Sequence, residues 1–390
     1  MGCSASAVWS EGYLDYDFGE HPLNPLRLDL TVRMATALGV LDELTVLAPV
    51  TADEAALLTV HDSDYLAAVR RASADPTFSG YGLGTDDDPV FEGMYDVSAL
   101  IAGGSAVAAR QVWEGAVAHS VNIAGGLHHA MRGYASGFCV FNDIVLAIRT
   151  LLAAGAQKIA YVDIDVHHGD GVQTAFYDDP RVLTISLHQD PRTLFPGTGM
   201  PTEIGSGAAE GTSVNVALPP GTGDDGWLRA FRAVVPGAVR AFAPDVLVTQ
   251  CGCDTHHEDP LANLQLTIDG QRTAIADLHA LAHDAAHGKW VAFGGGGYGL
   301  VRCVPRTWTH LLAEASGNPL DPSTAVPAAW SDDLRRRGYR GELPVTMGEG
   351  RTPRVEPWVP GGDSWLDRAV GATRNAVFPL LGLDPDDPRD

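Results

Sequence analysis

Four short apolar runs, rich in β-branched residues, each stop at a turn crowded with polar side chains, and this pattern constrains the fold most. They occupy residues 158–165, 182–188, 245–251 and 290–294. Being apolar on both faces, they read as buried parallel strands. Helical patterns cover residues 26–40, 98–113, 142–154 and 227–242. Such alternation predicts an α/β fold with a central, mainly parallel sheet and helices on both faces. Sheets of this kind bind ligands beyond the carboxyl ends of their strands. The polar residues fall there: Asp163, Asp165 and His167 close the first run, Ser186 and His188 the second, Asp254 follows the third, and Gly294 to Tyr298 follow the fourth.

With no internal repeat and no low-complexity linker before about residue 318, one large catalytic domain is expected over residues 1–320. Prolines and charges become frequent from Pro319 onward, so residues 321–390 read as a C-terminal extension packed on that domain, frayed at its last residues. A net charge of −23, from 26 basic and 49 acidic residues, argues against binding nucleic acid or an anionic membrane and favours cationic ligands. No apolar run approaches the roughly 18 residues that span a bilayer.

Five cysteines, an odd number, and the lack of a leading secretory pattern fit a reducing cytoplasm. The start Met1-Gly2-Cys3-Ser4-Ala5-Ser6 formally matches an acylation pattern. It is discounted, because a chain whose lysines are Lys158 and Lys289 alone, with arginine elsewhere, reads as the product of a GC-rich bacterial genome.

The densest chemistry is Asp163-Ile-Asp165-Val-His167-His168-Gly-Asp170. Strand alternation predicts Asp163, Asp165 and His167 on one side, two of them free to ligate a metal and the third to orient a neighbour. Asp and His suit zinc, which in catalytic sites takes three protein ligands and keeps one position open. Asp165 and His167 are the first two ligands expected. Asp254, just past a neighbouring strand, is the third. The isolated His61, His188, His256 and His257 read as satisfied core or cap residues. Cys251-Gly-Cys253 lacks the spacing of a zinc knuckle and reads as a pair of small buried hydrophobes.

With Gly125-Gly-Leu-His-His129, Gly137-Phe-Cys-Val-Phe-Asn-Asp143, Gln250-Cys-Gly-Cys-Asp254 and Gly294-Gly-Gly-Gly-Tyr298, this segment resembles the ordered signatures of class I histone deacetylases over roughly residues 10–320. His21-Pro-Leu-Asn-Pro-Leu-Arg27 and Gln265-Leu-Thr267 are most similar to the bacterial acetoin-utilisation branch of that family. The resemblance implies the arginase/deacetylase fold and metal-dependent hydrolysis of acetyl-lysine to lysine and acetate.

It also implies roles for particular residues. His129 is the general base and acid, with Asp170 as its partner; His128 is an electrostatic helper oriented by Asp163. Tyr298 donates to the oxyanion. Gly137, Phe138 and Phe195 line a tunnel for the lysine stem, Leu261 stands at its mouth and Asp87 holds the substrate backbone at the rim. Arg27, which alone would read as a surface arginine, belongs to an acetate channel. One potassium ion is implied at Asp163, Asp165, His167, Ser186 and Leu187, and a second near Phe176, Asp179 and Val182. Zn2+ is the catalytic ion expected, with Fe2+ as the alternative in the cell. The implied partner is an acetylated metabolic enzyme such as acetyl-coenzyme A synthetase.

Three other readings compete. A ureohydrolase of the same fold needs extra aspartates for its second metal where this chain has Gly169 and His256. An acetylpolyamine deacetylase shares the zinc chemistry. A catalytically silent binding module keeps only the fold. The glycine run before Tyr298 lacks the Lys-Ser/Thr of a phosphate-binding loop.

Overall fold

The apolar runs pair side by side in one sheet. In the computed structural model, which describes residues 4–390, the strands are β1 (Ala5–Val8), β2 (Thr45–Leu47), β3 (His119–Asn122), β4 (Ile159–Asp163), β5 (Val182–Gln189), β6 (Ser213–Leu218), β7 (Val246–Gln250) and β8 (Trp290–Phe293). Every neighbouring pair is parallel, in the order β2-β1-β3-β8-β7-β4-β5-β6. All but β2 are buried along their whole length, as a parallel sheet flanked by helices requires. The edge strand β2 has three residues, too short to template pairing with another chain.

The flanking helices are α1 (Leu26–Ala37), α2 (Glu54–Leu57), α3 (Ser63–Ala72), α4 (Met94–Trp113), α5 (Asp143–Ala153), α6 (Asp170–Ala175), α7 (Asp224–Phe242), α8 (Ile268–Ala285), α9 (Val304–Ala315), α10 (Ala328–Arg336) and α11 (Trp365–Val377). Side-chain caps start several of them. Asn142 accepts the Val145 N–H ahead of α5, Thr267 the Gly270 N–H ahead of α8, and Ser364 the Asp367 N–H ahead of α11.

The chain runs outward from β4 through β5 to β6, then returns to the other side of β4 for β7 and β8. The carboxyl ends of β4 and β7 therefore flank a topological switch point, where such sheets bind ligands. Large side chains fix this region. Trp290 and Trp308 are fully buried, and their indole N–H groups donate to Thr249 Oγ1 and the Cys251 carbonyl, both at 2.9 Å, beside the end of β7.

Toward the C-terminus, Trp330 of α10 donates to the Leu30 carbonyl on α1 at 3.0 Å. Thr373 of α11 donates to the carbonyl of Asn215 on β6 at 2.6 Å, so a helix covers this second edge strand. The buried Arg374 donates to the carbonyls of Asp384, Pro385 and Asp387.

Cys139, Cys251, Cys253 and Cys303 are buried and unbridged. Cys3 and the first residues of the acylation-like start lie outside the described residues. Among the described residues no helix is long and apolar enough to cross a membrane.

Candidate active site

Strand β4 ends at Asp163, two residues before the end of the apolar run that reads as a strand. Alternation along the strand therefore does not set the directions of Asp165 and His167, a correction to the expectation above. Carboxylates set them instead. The Asp165 N–H donates to Asp163 Oδ1 at 3.1 Å, the Val166 N–H to Asp254 Oδ1 at 2.9 Å, and the His167 N–H to Asp165 Oδ1 at 3.0 Å. Each carboxylate takes a main-chain donor that would otherwise extend the ladder.

The result is a convergence of three buried side-chain atoms that could ligate a metal. His167 Nδ1 lies 3.1 Å from Asp165 Oδ1 and 3.2 Å from Asp254 Oδ2. Neighbouring ligands of a tetrahedral ion bound at about 2.0 Å stand roughly 3.3 Å apart, so this spacing fits a single zinc-sized ion. Two carboxylates sharing a buried site also call for a compensating cation. Gln250 Nε2 and the Gly296 N–H donate to Asp165 Oδ2 at 2.7 and 2.8 Å, holding the carboxylate from behind. A Cβ on Gly296 would lie 2.0 Å from Asp254 Oδ2, so this close approach requires glycine.

After β3 the chain passes through Gly125-Gly-Leu-His-His129. Asp143, the first residue of α5, pins this loop by accepting the N–H groups of Gly126 and Leu127 and the hydroxyl of Ser105. His128 Nδ1 then meets Asp163 Oδ2 at 2.8 Å, and His129 Nδ1 meets Asp170 Oδ1 at 2.7 Å. The two Nε2 atoms face each other at 3.0 Å. Tyr161 donates its hydroxyl to Asp163 Oδ2 at 2.6 Å. Burial alone would depress the His128 imidazole, but Asp163, Asp165 and Asp170 outweigh it and lift its pKa to about 9. Burial and the neighbouring His128 hold His129 below its ordinary value.

Tyr298 shares a narrow cavity with His128, His129, Asp165, His167 and Gly137. Burial, with Asp254 and Asp165 close by, holds its phenol well above the ordinary pKa, so it stays a donor. Its main-chain N–H donates to Asp259 Oδ2 at 2.8 Å, and the other oxygen of Asp259 accepts the Leu261 N–H at 3.0 Å. The Phe138 ring stands edge-on to Tyr298 at 5.7 Å, and Phe195 edge-on to His129 at 5.0 Å. Phe195 remains 44% exposed, which puts it at the outer end of the cavity. Asp87 Oδ2 accepts the Gly137 N–H at 3.0 Å, fixing the rim loop beside Phe138.

Arg27 is buried, so the surface reading of it fails. Its Nη1 donates to the carbonyls of Gly295 and Gly297 at 2.7 and 3.3 Å, behind the glycine run. Ser186 Oγ lies 2.9 Å from His188 Nδ1, and Leu187 is buried beside it on β5. The carbonyls of Phe176 and Asp179 accept the N–H groups of Asp179 and Val182, and the Asp179 carboxylate pairs with Arg181.

Sequence reasoning assigned no role to Tyr161, Asp143, Gln250 or Asp259. Asp143 and Gln250 do belong to the quoted motifs, which was the available signal. Tyr161 carried a weaker one, two residues before Asp163 on a strand.

Residues 21–315 match the family described as histone deacetylase domain. The chain belongs to the histone deacetylase family. It is 42% identical over 328 residues, covering 83% of this chain and 84% of the relative, to the acetoin utilization protein AcuC of Bacillus subtilis (strain 168). It is 36% identical over 341 residues to the protein of that name from Staphylococcus aureus (strain MSSA476), covering 86% and 87% of the two chains. Its likeness is to this acetoin-utilisation branch, and the protein is a deacetylase, a hydrolase of acetylated substrates.

Proposed function

We propose that this deacetylase removes acetyl groups from lysine side chains of proteins, releasing lysine and acetate, with one Zn2+ held by Asp165, His167 and Asp254. The observation that carries the reading is the meeting of a one-ion ligand set, two His–Asp pairs and a phenol in one narrow cavity. A divalent ion bound there would supply Lewis acidity toward the acetyl carbonyl and acidify water. Fe2+ is compatible with the same oxygen and nitrogen donors.

The protein's own groups handle the protons. His129, held neutral by burial, takes the proton of the attacking water and returns it to the departing amine; Asp170 keeps Nδ1 protonated so that Nε2 faces the cavity. His128, oriented by Asp163 at 2.8 Å, serves as the electrostatic helper beside His129. Tyr298 donates its hydroxyl to the oxyanion. Phe138 and Phe195 flank the aliphatic stem beside Gly137, Leu261 stands at the mouth, and Asp87 receives the substrate backbone. Arg27 lines the route by which acetate leaves. On the family likeness, K+ occupies the positions at Asp163, Asp165, His167, Ser186 and Leu187, and at Phe176, Asp179 and Val182.

The two extra aspartates that a second metal of the ureohydrolase kind needs are replaced by Gly169 and His256. A Cβ on Gly169 would lie 2.2 Å from Asp163 Oδ2, and His256 is turned toward Glu349 at 3.2 Å. The acetylpolyamine reading is favoured by one observation, the net charge of −23 with Asp86 and Asp87 exposed at the rim. Turnover of an acetyl-lysine peptide beside acetylspermidine separates the two. Faster turnover of the peptide is expected; a large preference for the polyamine overturns the substrate assignment, and inactivity of the zinc-loaded protein on both revives the silent module.

The cellular target on this reading is an acetylated metabolic enzyme such as acetyl-coenzyme A synthetase, in the cytoplasm. A rise in acetylation of such an enzyme on deletion of the gene is the expected result.

A further inference from the structure

At the amino-terminal end of β3, away from the cavity at the strands' carboxyl ends, three histidines converge. His119 opens β3, and His279 and His283 lie one helical turn apart near the end of α8. One ring nitrogen from each lies within 4.8 Å of the others. The ring of His119 stands 4.7 Å from that of His279 and 5.1 Å from that of His283, and the two helical rings are 4.9 Å apart.

The second atoms of these rings decide which nitrogens face inward. His119 Nδ1 lies 2.7 Å from the Ala315 carbonyl, an acceptor only, so Nδ1 carries the proton and Nε2 presents a lone pair. That Nε2 is fully buried and meets no hydrogen-bond partner among the described residues, an uncommon condition for a buried polar atom. His279 Nδ1 lies 2.8 Å from Glu314 Oε1, which likewise leaves its Nε2 as a donor of electrons. His279 Nε2 and His283 Nε2 are 3.1 Å apart, close to the roughly 3.3 Å expected of two nitrogens on one tetrahedral ion.

We propose that His119, His279 and His283 form a second divalent-metal site, selective for an ion such as Zn2+ that accepts imidazole nitrogen. Both outer partners come from the end of α9. Glu314 and the Ala315 carbonyl orient two of the rings, the arrangement by which metal-binding imidazoles are normally held. Trp290 closes the inner side, stacked on the His279 ring at 5.6 Å and edge-on to His119 at 5.6 Å. His283 is exposed and gives the ion its path from solvent.

The test is the zinc content of tag-free, full-length protein dialysed against Zn2+, measured by elemental analysis for wild type and for His283→Ala. An exposed helical residue is replaced, so the fold is preserved, and α-helical circular dichroism checks it. The expected result is one equivalent fewer in His283→Ala, with deacetylase activity unchanged. The same comparison in an Asp254→Ala background isolates the site from the cavity: one equivalent is expected there, and none once His283→Ala is added. Equal zinc content with and without His283 overturns the proposal. Loss of absorbance on the same substitution in Co2+-loaded protein is the expected spectroscopic counterpart.

Discussion

The carboxylate of Asp259 accepts the main-chain N–H of Tyr298 at 2.8 Å through one oxygen and that of Leu261 at 3.0 Å through the other. One side chain thus ties the tyrosine loop after β8 to the Leu261 turn. Asp259→Ala removes that tie without touching Asp165, His167, Asp254 or the His–Asp pairs. The expected outcome is a kcat lowered roughly 10- to 100-fold with metal content unchanged, as for loss of a supporting group behind a reactive one. Asp259→Asn, which keeps an acceptor oxygen, is expected to recover part of the rate.

On the proposed mechanism Tyr298 offers its hydroxyl where charge develops and takes no part in metal binding. Tyr298→Phe is expected to lower kcat by about 10² to 10³, the usual cost of one oxyanion donor, with KM and zinc content near those of wild type. Steady-state kinetics on an acetyl-lysine peptide, with elemental analysis alongside, separates this from a metal-binding defect.

Asp88 lies beneath the rim, 1% exposed, with Oδ1 unpartnered. Burial, then the neighbouring Asp87, raise its pKa to about 8. The folded state therefore holds this proton more tightly than the unfolded chain, and the wild type loses stability as pH rises from about 4 to about 8. Each pH unit inside that window costs up to about 1.4 kcal/mol. Asp88→Asn is neutral throughout, so its advantage in urea midpoint is expected to grow between pH 5 and pH 8; parallel profiles for the two proteins contradict the assignment.

That Asp165, His167 and Asp254 meet was legible in the sequence because they lie at the ends of apolar runs that had to be adjacent strands. The end of β4 was not legible. It depends on carboxylates capturing main-chain donors, Asp254 reaching Val166 across 88 positions. Strand β3 escaped notice because His119-Ser-Val-Asn122 is mostly polar, and its partners on both sides bury it. Arg27 read alone as a surface residue; only the approach of the Gly295 and Gly297 carbonyls supplies acceptors that let a guanidinium be buried. Asp259 was invisible for the same reason, since its partner Tyr298 lies 39 residues on.

On the proposed function, metal held by Asp165, His167 and Asp254 drives amide hydrolysis in this cavity. The most direct test is acetate release from an acetyl-lysine peptide by zinc-reconstituted wild type and by folded Asp254→Ala, each with and without a chelator. Release by the wild type that stops on chelation and returns with Zn2+ is expected, and none from Asp254→Ala. Release by Asp254→Ala at the wild-type rate, or release indifferent to chelation, would contradict the proposed function.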